Sequence, residues 1–313
     1  MRMVPCLALL VCLGLAAVTD VLANESFPSR PLTLLIGFNP GGSTDIQAQV
    51  LAEVMAEDLG QRVDILHFPG RGGGNAAAML ASSQVGGYVF QYGHSNPFVF
   101  TPLTAVTSYT IDSYRFVAGV ALEQSAFVTG PDTPFANWED MLAYGRERGD
   151  LIYVTQSQYD QLLIESIMEE EGINLRILPT SGGADMAPLI INGEAHFAFS
   201  GGTHSGYTDS GEMRMLASPT RDRLMGYPDV RTLHELGYDL EMHTHRIIVV
   251  PADTPEEHVT RLSEAAQRAT EDQRFIDVTE SRTRMPVTFI NEDDLSALLA
   301  AQTVQFSEGL QGR

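Results

Sequence analysis

The chain contains no lysine; all 19 of its basic residues are arginine. That excludes a phosphate loop ending in Gly-Lys-Ser/Thr, a Schiff-base lysine and pyridoxal chemistry. Cysteine is almost as scarce, with Cys6 and Cys12 both inside an apolar N-terminal stretch, Val4 to Val18, that follows Arg2 and runs on to Val21-Leu22-Ala23. This order of charge, apolar stretch and small residues reads as a secretory signal peptide over 1–23, too short to span a membrane. Cleavage near Ala23 removes both cysteines, and with them disulfides, thiol catalysis and cysteine-held metals. Cys12 as a lipid anchor is disfavoured because Val11 stands before it. No later segment approaches the ~20 apolar residues of a transmembrane helix. Without disulfides the exported chain depends on its core, and its length suggests about two domains.

Positive charge is short as well. With 40 acidic residues and a net charge of -21, nucleic acid and anionic membrane are excluded as partners. The acids are unevenly spread, for none occurs between Asp64 and Asp112. Such an island lowers the local cost of bringing in an anion. It can equally be a buried, glycine-rich segment that excludes charge for packing reasons.

What the chain does have is a strand, a tight glycine turn and a helix start in the stretch LTLLIGFNPGGSTD, from Leu32 to Asp45. Thr44 and Gln47 have the spacing of a capping box, and Ile46, Val50, Leu51, Val54 and Leu59 share a helical face until Gly60 stops it. The glycines allow close approach to the backbone, and the unpaired N–H groups of the first helical turn favour an anion. A plain α/β turn looks the same in sequence.

Further strands are expected at Val63 to Phe68, Tyr88 to Tyr92, Leu151 to Val154, Leu175 to Leu178 and Ala195 to Phe199. Helices are expected at Ala76 to Ser83, Trp138 to Arg148 with Asn137 as cap, Gln158 to Glu170, Pro255 to Thr270 and Asp293 to Ser307. Pro69-Gly70-Arg71-Gly72-Gly73-Gly74-Asn75 resembles a dinucleotide fingerprint but lacks its third glycine and its later acid, so no nucleotide cofactor is expected. It reads as a second backbone concavity. Gly93-His94-Ser95-Asn96-Pro97 leaves polar side chains after a strand end, where His94 either bonds a carboxylate or is an ordinary loop histidine. Arg115 to Val128 is long enough to cross from one lobe to another, and Arg246 to Val250 returns.

Two glycines followed by an acid at a helix start occur twice, in Gly41-Gly42-Ser43-Thr44-Asp45 and in Ser181-Gly182-Gly183-Ala184-Asp185. Two α/β lobes can thus present helix N-termini to a shared cleft. Pro188 requires the second helix to begin near Asp185. Ser200, with His204 or His94, suggests an exported serine hydrolase, but Ala198 stands where the nucleophile elbow needs glycine. His243 and His245 can share a strand face, yet no partner stands at metal spacing, and no metal is expected.

With those residues in hand, the chain resembles the extracytoplasmic solute receptors of tripartite tricarboxylate transporters, the Bug family. The resemblance covers Phe27 to about Ser307 and rests on FPSRPLTLLIGFNPGGSTD, FPGRGGG, the GGY of Gly86 to Tyr88, the SGG of Ser181 to Gly183, NGEAHFAF from Asn192, YPDVRTLHELGY from Tyr227 and VPADTP from Val250. It implies an α/β, type II periplasmic-binding-protein fold of two α/β lobes joined by two crossing strands. One lobe would comprise 24–123 with 247–313 and the other 124–246, with hinges near Val120 to Phe127 and Thr244 to Val249. It also implies a periplasmic receptor, monomeric and without cofactor or catalysis, that passes a small carboxylate to membrane permease subunits. A sensor reporting its ligand to a membrane partner is the variant reading. The resemblance places the ligand at the first loop, with Asn39, Gly41, Gly42, Ser43, Thr44 and Asp45, and at the facing loop, with Ser181, Gly182, Gly183, Ala184 and Asp185; the residues themselves add His94, Ser95, Asn96, Thr155, Gln156, Ser157, Ser200, Thr203 and Arg246 as ligand candidates.

The chain departs from the family pattern in two places. Thr155-Gln156-Ser157-Gln158-Tyr159-Asp160-Gln161 replaces a Gly/Ser-rich loop, so that Gln, Tyr and Asp side chains stand in for backbone. His245-Arg246-Ile247 replaces aromatic residues and a glycine. Arg246 either bonds a second polar or carboxylate group of the ligand or pairs with a surface acid such as Glu241.

Overall fold

The computed structural model describes residues 27–311. The elements expected in the opening stretch form as strand β1 (Leu32–Ile36) and helix α1 (Ser43–Leu59), and Gly60 ends the helix in a left-handed conformation, φ 67°. Strand β2 (Val63–His67), helix α2 (Gly74–Ala81) and strand β3 (Val89–His94) follow. Two short helices, α3 (Asn96–Val99) and α4 (Thr101–Thr104), lead towards β4 (Tyr114–Leu122). After Glu123-Gln124-Ser125 the chain enters a second sheet as β5 (Ala126–Thr129). There it forms α5 (Trp138–Arg148), β6 (Asp150–Thr155), α6 (Gln158–Glu170), β7 (Asn174–Pro179) and α7 (Gly183–Ile191). Strand β8 (Phe197–Ser200), helix α8 (His204–Asp209) and strand β9 (Arg214–Ala217) complete that part. The return runs through β10 (His245–Pro251) to α9 (Glu256–Glu271), α10 (Gln273–Ile276), β11 (Val287–Ile290) and α11 (Glu292–Gln311).

The first sheet has the order β11-β4-β10-β3-β1-β2 and the second β7-β6-β8-β5-β9. Strands β1, β2 and β3 run parallel, so the turns that follow them open at one end of the sheet, where α/β proteins place ligands. β10 runs antiparallel to β3 and β4, setting Arg246 opposite His94 and Ala121. The two crossings are tied together where Glu123 N–H donates to the Thr244 carbonyl at 2.9 Å.

Apolar side chains account for this arrangement. Leu34, Ile36, Leu51, Met55, Tyr92 and Ile248 bury one face of the first sheet under α1 and α9, while Val128, Val154, Met186 and Ile190 fill the second sheet against α7. A fully buried Leu or Ile contributes about 1.5–3 kcal/mol, so these clusters make each half a cooperative unit without any crosslink. Helix α11 reaches from the first half onto the second, setting Phe306 edge-on to Tyr159 at 5.2 Å and to Phe100 at 5.3 Å between ring centroids.

Three local expectations need correction. The cap of α1 is Gly42, with no side-chain hydrogen bond; Thr44 and Gln47 do not form a capping box. Gln47 is drawn instead to the Tyr92 hydroxyl at 3.0 Å and to Thr283 at 3.3 Å, because it lies on the buried face. Helix α7 begins at Gly183, which leaves Pro188 inside it and removes one interior hydrogen bond. Finally, β3 continues through Gly93 and His94, since β10 offers ladder partners as far as Arg246.

Candidate functional site

The two glycine turns face one another. Asn39 N–H donates to the Ser181 carbonyl at 3.2 Å and Asn39 Nδ2 to Asp185 Oδ2 at 2.8 Å. A Cβ built on Gly42 would lie 3.7 Å from Ala184 N, and one on Gly182 would lie 3.2 Å from the Phe38 ring. The lobes are therefore closed on each other here, and at Gly182, with φ 129°, the approach requires glycine, whereas a Cβ on Gly42 would make only an ordinary contact. Both acids serve their own turn: Asp45 Oδ2 accepts Gly41 N–H at 2.8 Å, and Asp185 Oδ2 accepts Ser181 N–H at 3.1 Å. Asp45 also meets His67 Nε2 at 2.7 Å. Ser43 reaches the second lobe twice, from its N–H to Thr203 Oγ1 at 3.1 Å and from its hydroxyl to the Gly201 carbonyl at 2.9 Å.

Behind these turns lies a buried ionic cluster at the crossings. Arg246 is 0% exposed; its Nη2 donates to Ser43 Oγ at 3.0 Å and to the Gly201 carbonyl at 2.8 Å, and its Nη1 donates to Thr44 Oγ1. Its acid partner is Glu123, at 3.5 Å, so the expected pairing with Glu241 is replaced by one with a buried hinge residue. Glu123 also accepts from the Ser125 hydroxyl at 2.8 Å and lies 3.2 Å from His94 Nδ1. Burial pushes the Glu123 carboxyl up, opposed by the Arg246 guanidinium and the Ser125 donor. Burial, reinforced by Arg246, holds His94 well below its usual value, so the ring is neutral. The neutral ring sets Nδ1 3.2 Å from Glu123 Oε2, a contact short of a hydrogen bond, and Nε2 3.3 Å from the Thr44 hydroxyl, whose oxygen accepts from Arg246. His94 is thus part of a wired core and no free loop histidine. The Arg246 Nε atom is buried without a hydrogen-bond partner among the described residues.

The loop at 155–161 is organised differently from the expectation. Ser157 caps α6 in a reciprocal capping box with Asp160. Asp160 is 0% exposed and accepts the Tyr153 hydroxyl at 2.7 Å and Ser157 N–H at 2.6 Å. Burial pushes its carboxyl up while those donors pull it down. Tyr159 turns onto Phe100 at 4.5 Å and donates to the Glu241 carbonyl at 3.1 Å. Tyr159 and Asp160 therefore point into the protein, because the capping box and an aromatic contact claim them. Thr155, Gln156, Ser157 and Gln161 remain at the mouth of a cleft of about 620 Å³ whose other wall carries Arg71, Gly72 and Thr101.

The other candidates are placed as follows. Ser95 Oγ accepts His245 N–H at 3.2 Å and Asn96 Nδ2 donates to Thr244 Oγ1 at 3.0 Å, so both fasten β10 beside the crossing. Thr203 faces Gly183, whose added Cβ would lie 2.1 Å from its hydroxyl. Ser200 Oγ lies 3.1 Å from His204 Nδ1, the contact a hydrolase needs, yet the two are 0% and 1% exposed. His204 is lowered to about 4, chiefly by burial. The rings of His243 and His245 stack at 6.4 Å, and among the described residues no cluster of His, Cys, Asp and Glu could hold a metal. No helix among them is long and apolar enough to cross a membrane.

Two residues that matter were absent from the sequence-based site. Glu123 is the one acid in the apolar crossing from Arg115 to Val128, and Arg71 is the one Arg or acid between Asp64 and Asp112. A lone charge within an uncharged run, Glu123 in 116–128 and Arg71 in 65–111, was the available signal for both.

Two α/β sheets joined at paired crossings, with helix starts meeting between them, define the type II periplasmic-binding-protein fold. Residues 47–308 match the model of the tripartite tricarboxylate transporter family receptor, and the chain belongs to that family. A UPF0065 protein of Bordetella bronchiseptica is 27% identical over 92% of this chain and 87% of its own. MatC of Rhodopseudomonas palustris, solved with bound malate, superposes with a TM-score of 0.80 at 20% identity, covering 90% of this chain and 99% of that one. An R. palustris protein solved with adipate gives a TM-score of 0.78 at 22% identity, covering 90% and 96%.

Proposed function

We propose that this protein is a periplasmic receptor that encloses a small organic acid between its lobes, 24–123 with 247–313 on one side and 124–246 on the other, and delivers it to the permease subunits of a tripartite tricarboxylate-type transporter. The observation that carries this reading is the facing pair of glycine turns, each opening a helix at the contact between the lobes, with Ser43 N–H reaching across to Thr203 Oγ1. Family membership and the carboxylates held by relatives of the same fold support it. So does an interlobe cleft lined by Arg71 and by no acid, in a chain of net charge -21. Export by the leader at 1–23, which lies outside the described residues, is part of the same reading.

Closure requires only differential affinity. A ligand that touches both lobes shifts the open form to the closed one by a few kcal/mol, within reach of several charge-assisted hydrogen bonds. The protein acts as a monomer and changes no bond in its ligand; burial of Ser200 and His204 argues against the hydrolase reading. The test is mass spectrometry of small molecules released on denaturing the purified protein. A stoichiometric, unaltered carboxylic acid is expected. Release of no acid, or turnover of an ester or amide that Ser200→Ala abolishes, would refute the proposal.

A further inference from the structure

Among the described arginines, Arg30, Arg71, Arg221 and Arg282 have no hydrogen bond or ion pair, and Arg30 is laid over the Tyr88 ring at 3.9 Å. Of these, Arg71 faces the interlobe cleft of about 620 Å³, whose lining contains no Asp or Glu. Arg282 lines a smaller cleft that holds Glu212 as well, so its charge already has a counterpart nearby. Arg71 is exposed and takes a left-handed backbone conformation, φ 52°, which a side chain rarely adopts. Gly72 beside it closes on the second lobe so tightly that an added Cβ would lie 2.7 Å from Ser157 Cβ. The guanidinium is thus held at the seam between the lobes with its donors unspent.

The opposite wall has spent its hydroxyl protons. Thr155 Oγ1 donates to the Ser157 carbonyl at 2.8 Å, Ser157 Oγ to Asp160 Oδ1 at 2.7 Å, and Thr180 Oγ1 to the Thr155 carbonyl at 2.9 Å. Thr155 Oγ1 also accepts Ser157 N–H at 3.3 Å and Ser157 Oγ accepts Asp160 N–H at 3.4 Å, which leaves one lone pair on each of these two oxygens, with that of Thr180, for the cleft. A carboxylate matches Arg71, and ligand hydroxyls, as donors, match the facing oxygens. A second carboxylate would meet lone pairs there, and an ammonium would find no carboxylate in the lining.

We propose that Arg71 anchors the ligand's carboxylate and that the wall at Thr155, Ser157 and Thr180 selects a polyhydroxylated monocarboxylic acid over an unsubstituted dicarboxylate. The inference rests on the receptor reading above and names the ligand class for it. The test is titration calorimetry of the mature protein, emptied of ligand, with D-gluconate, adipate and D-glucose, on wild type, Arg71→Gly and Arg71→Lys, with thermal unfolding alongside. Gluconate is expected to bind about tenfold or more tighter than adipate, with glucose silent. Arg71→Gly should weaken gluconate by about 30-fold or more and Arg71→Lys by only a few-fold, since the point charge survives. Glycine accepts the left-handed conformation, so thermal stability should hold or rise in Arg71→Gly and separate lost binding from lost folding. Unchanged gluconate affinity in Arg71→Gly, adipate binding as tightly as gluconate, or no gluconate binding at all would overturn the inference. The released-ligand measurement would still stand as the separate judge of the receptor reading.

Discussion

Two arginines lie between the lobes, and the protein treats them in opposite ways. Arg246, at the crossing, is fully buried, neutralised by Glu123 and bonded to Ser43, Thr44 and the Gly201 carbonyl. Arg71, at the seam, is exposed and unpartnered. Both are cations in an acidic chain, so charge alone does not distinguish a structural from a binding arginine. What distinguishes them is whether the protein has already used their donors. Arg246 touches groups from both lobes and holds the closed form together; Arg71 leaves its donors for something that arrives.

The largest expected effect tests the buried side of that contrast. Arg246→Met leaves Glu123 without its counter-charge, and breaking a buried pair from one side costs about 3–5 kcal/mol. Urea unfolding should show this loss, with much of it regained in Arg246→Met combined with Glu123→Gln. Arg71→Gly should cost nothing measurable in the same assay. Equal losses at the two sites would erase the distinction.

Acid should weaken the buried region next. His204 and His245 are each lowered from the ordinary 6.5 to about 4 by burial, with His243 adding to the effect on His245. Between those values the unfolded chain takes up protons that the folded chain refuses, so stability is present above pH 6.5 and is lost as pH falls towards about 4. Each histidine contributes a slope of about 1.4 kcal/mol per pH unit inside that window. Unfolding free energies measured from pH 7 to pH 4.5 should fall accordingly, and His204→Gln should flatten the curve. A curve indifferent to that substitution would contradict the assignment.

The seam itself is tested by Gly182→Ala. Its Cβ would meet Phe38 of the other lobe at 3.2 Å, which opposes closure by about 1–2 kcal/mol, while the strain of an alanine at φ 129° falls on the second lobe whether open or closed. Small-angle scattering of the ligand-loaded protein should show a more extended particle, and ligand affinity should fall by about tenfold. An unchanged scattering profile and affinity would show that this glycine is dispensable for closure. The smallest effect belongs to Asn39→Ala, which removes one interlobe hydrogen bond, worth about 0.5–1.5 kcal/mol, and should loosen binding by a few-fold in calorimetry. A loss as large as that of Arg71→Gly would instead make Asn39 a direct ligand group.

Much of this architecture was readable from residues alone. Alternating apolar runs bounded by glycine and proline marked β1, β2, β6 and β7, and Asn137 and Gly60 marked helix ends by their capping chemistry. The two glycine turns were recognisable as paired glycines followed by an acid at a helix start, and the structure shows why the acid is there: it accepts the N–H of Gly41 or Ser181, four residues before it. Tertiary competition was not readable. Thr44 has the spacing of a cap residue, yet a guanidinium 202 positions away outbids the helix for its oxygen. Tyr159 and Asp160 are polar residues at a loop, yet an aromatic neighbour and a capping box draw them inward. Arg71 escaped notice because its surrounding glycines suggested a backbone site, and only the facing wall at Thr155 to Ser157 gives its side chain meaning.

Diffraction from crystals grown with the acid that the purified protein releases tests the central claim most directly. The acid should lie enclosed between the lobes, bonded to groups from both the 71–106 and 155–180 regions, with its carboxylate meeting Arg71. An acid held by one lobe alone, or bound on an outer surface while the seam stays closed without it, would contradict the account.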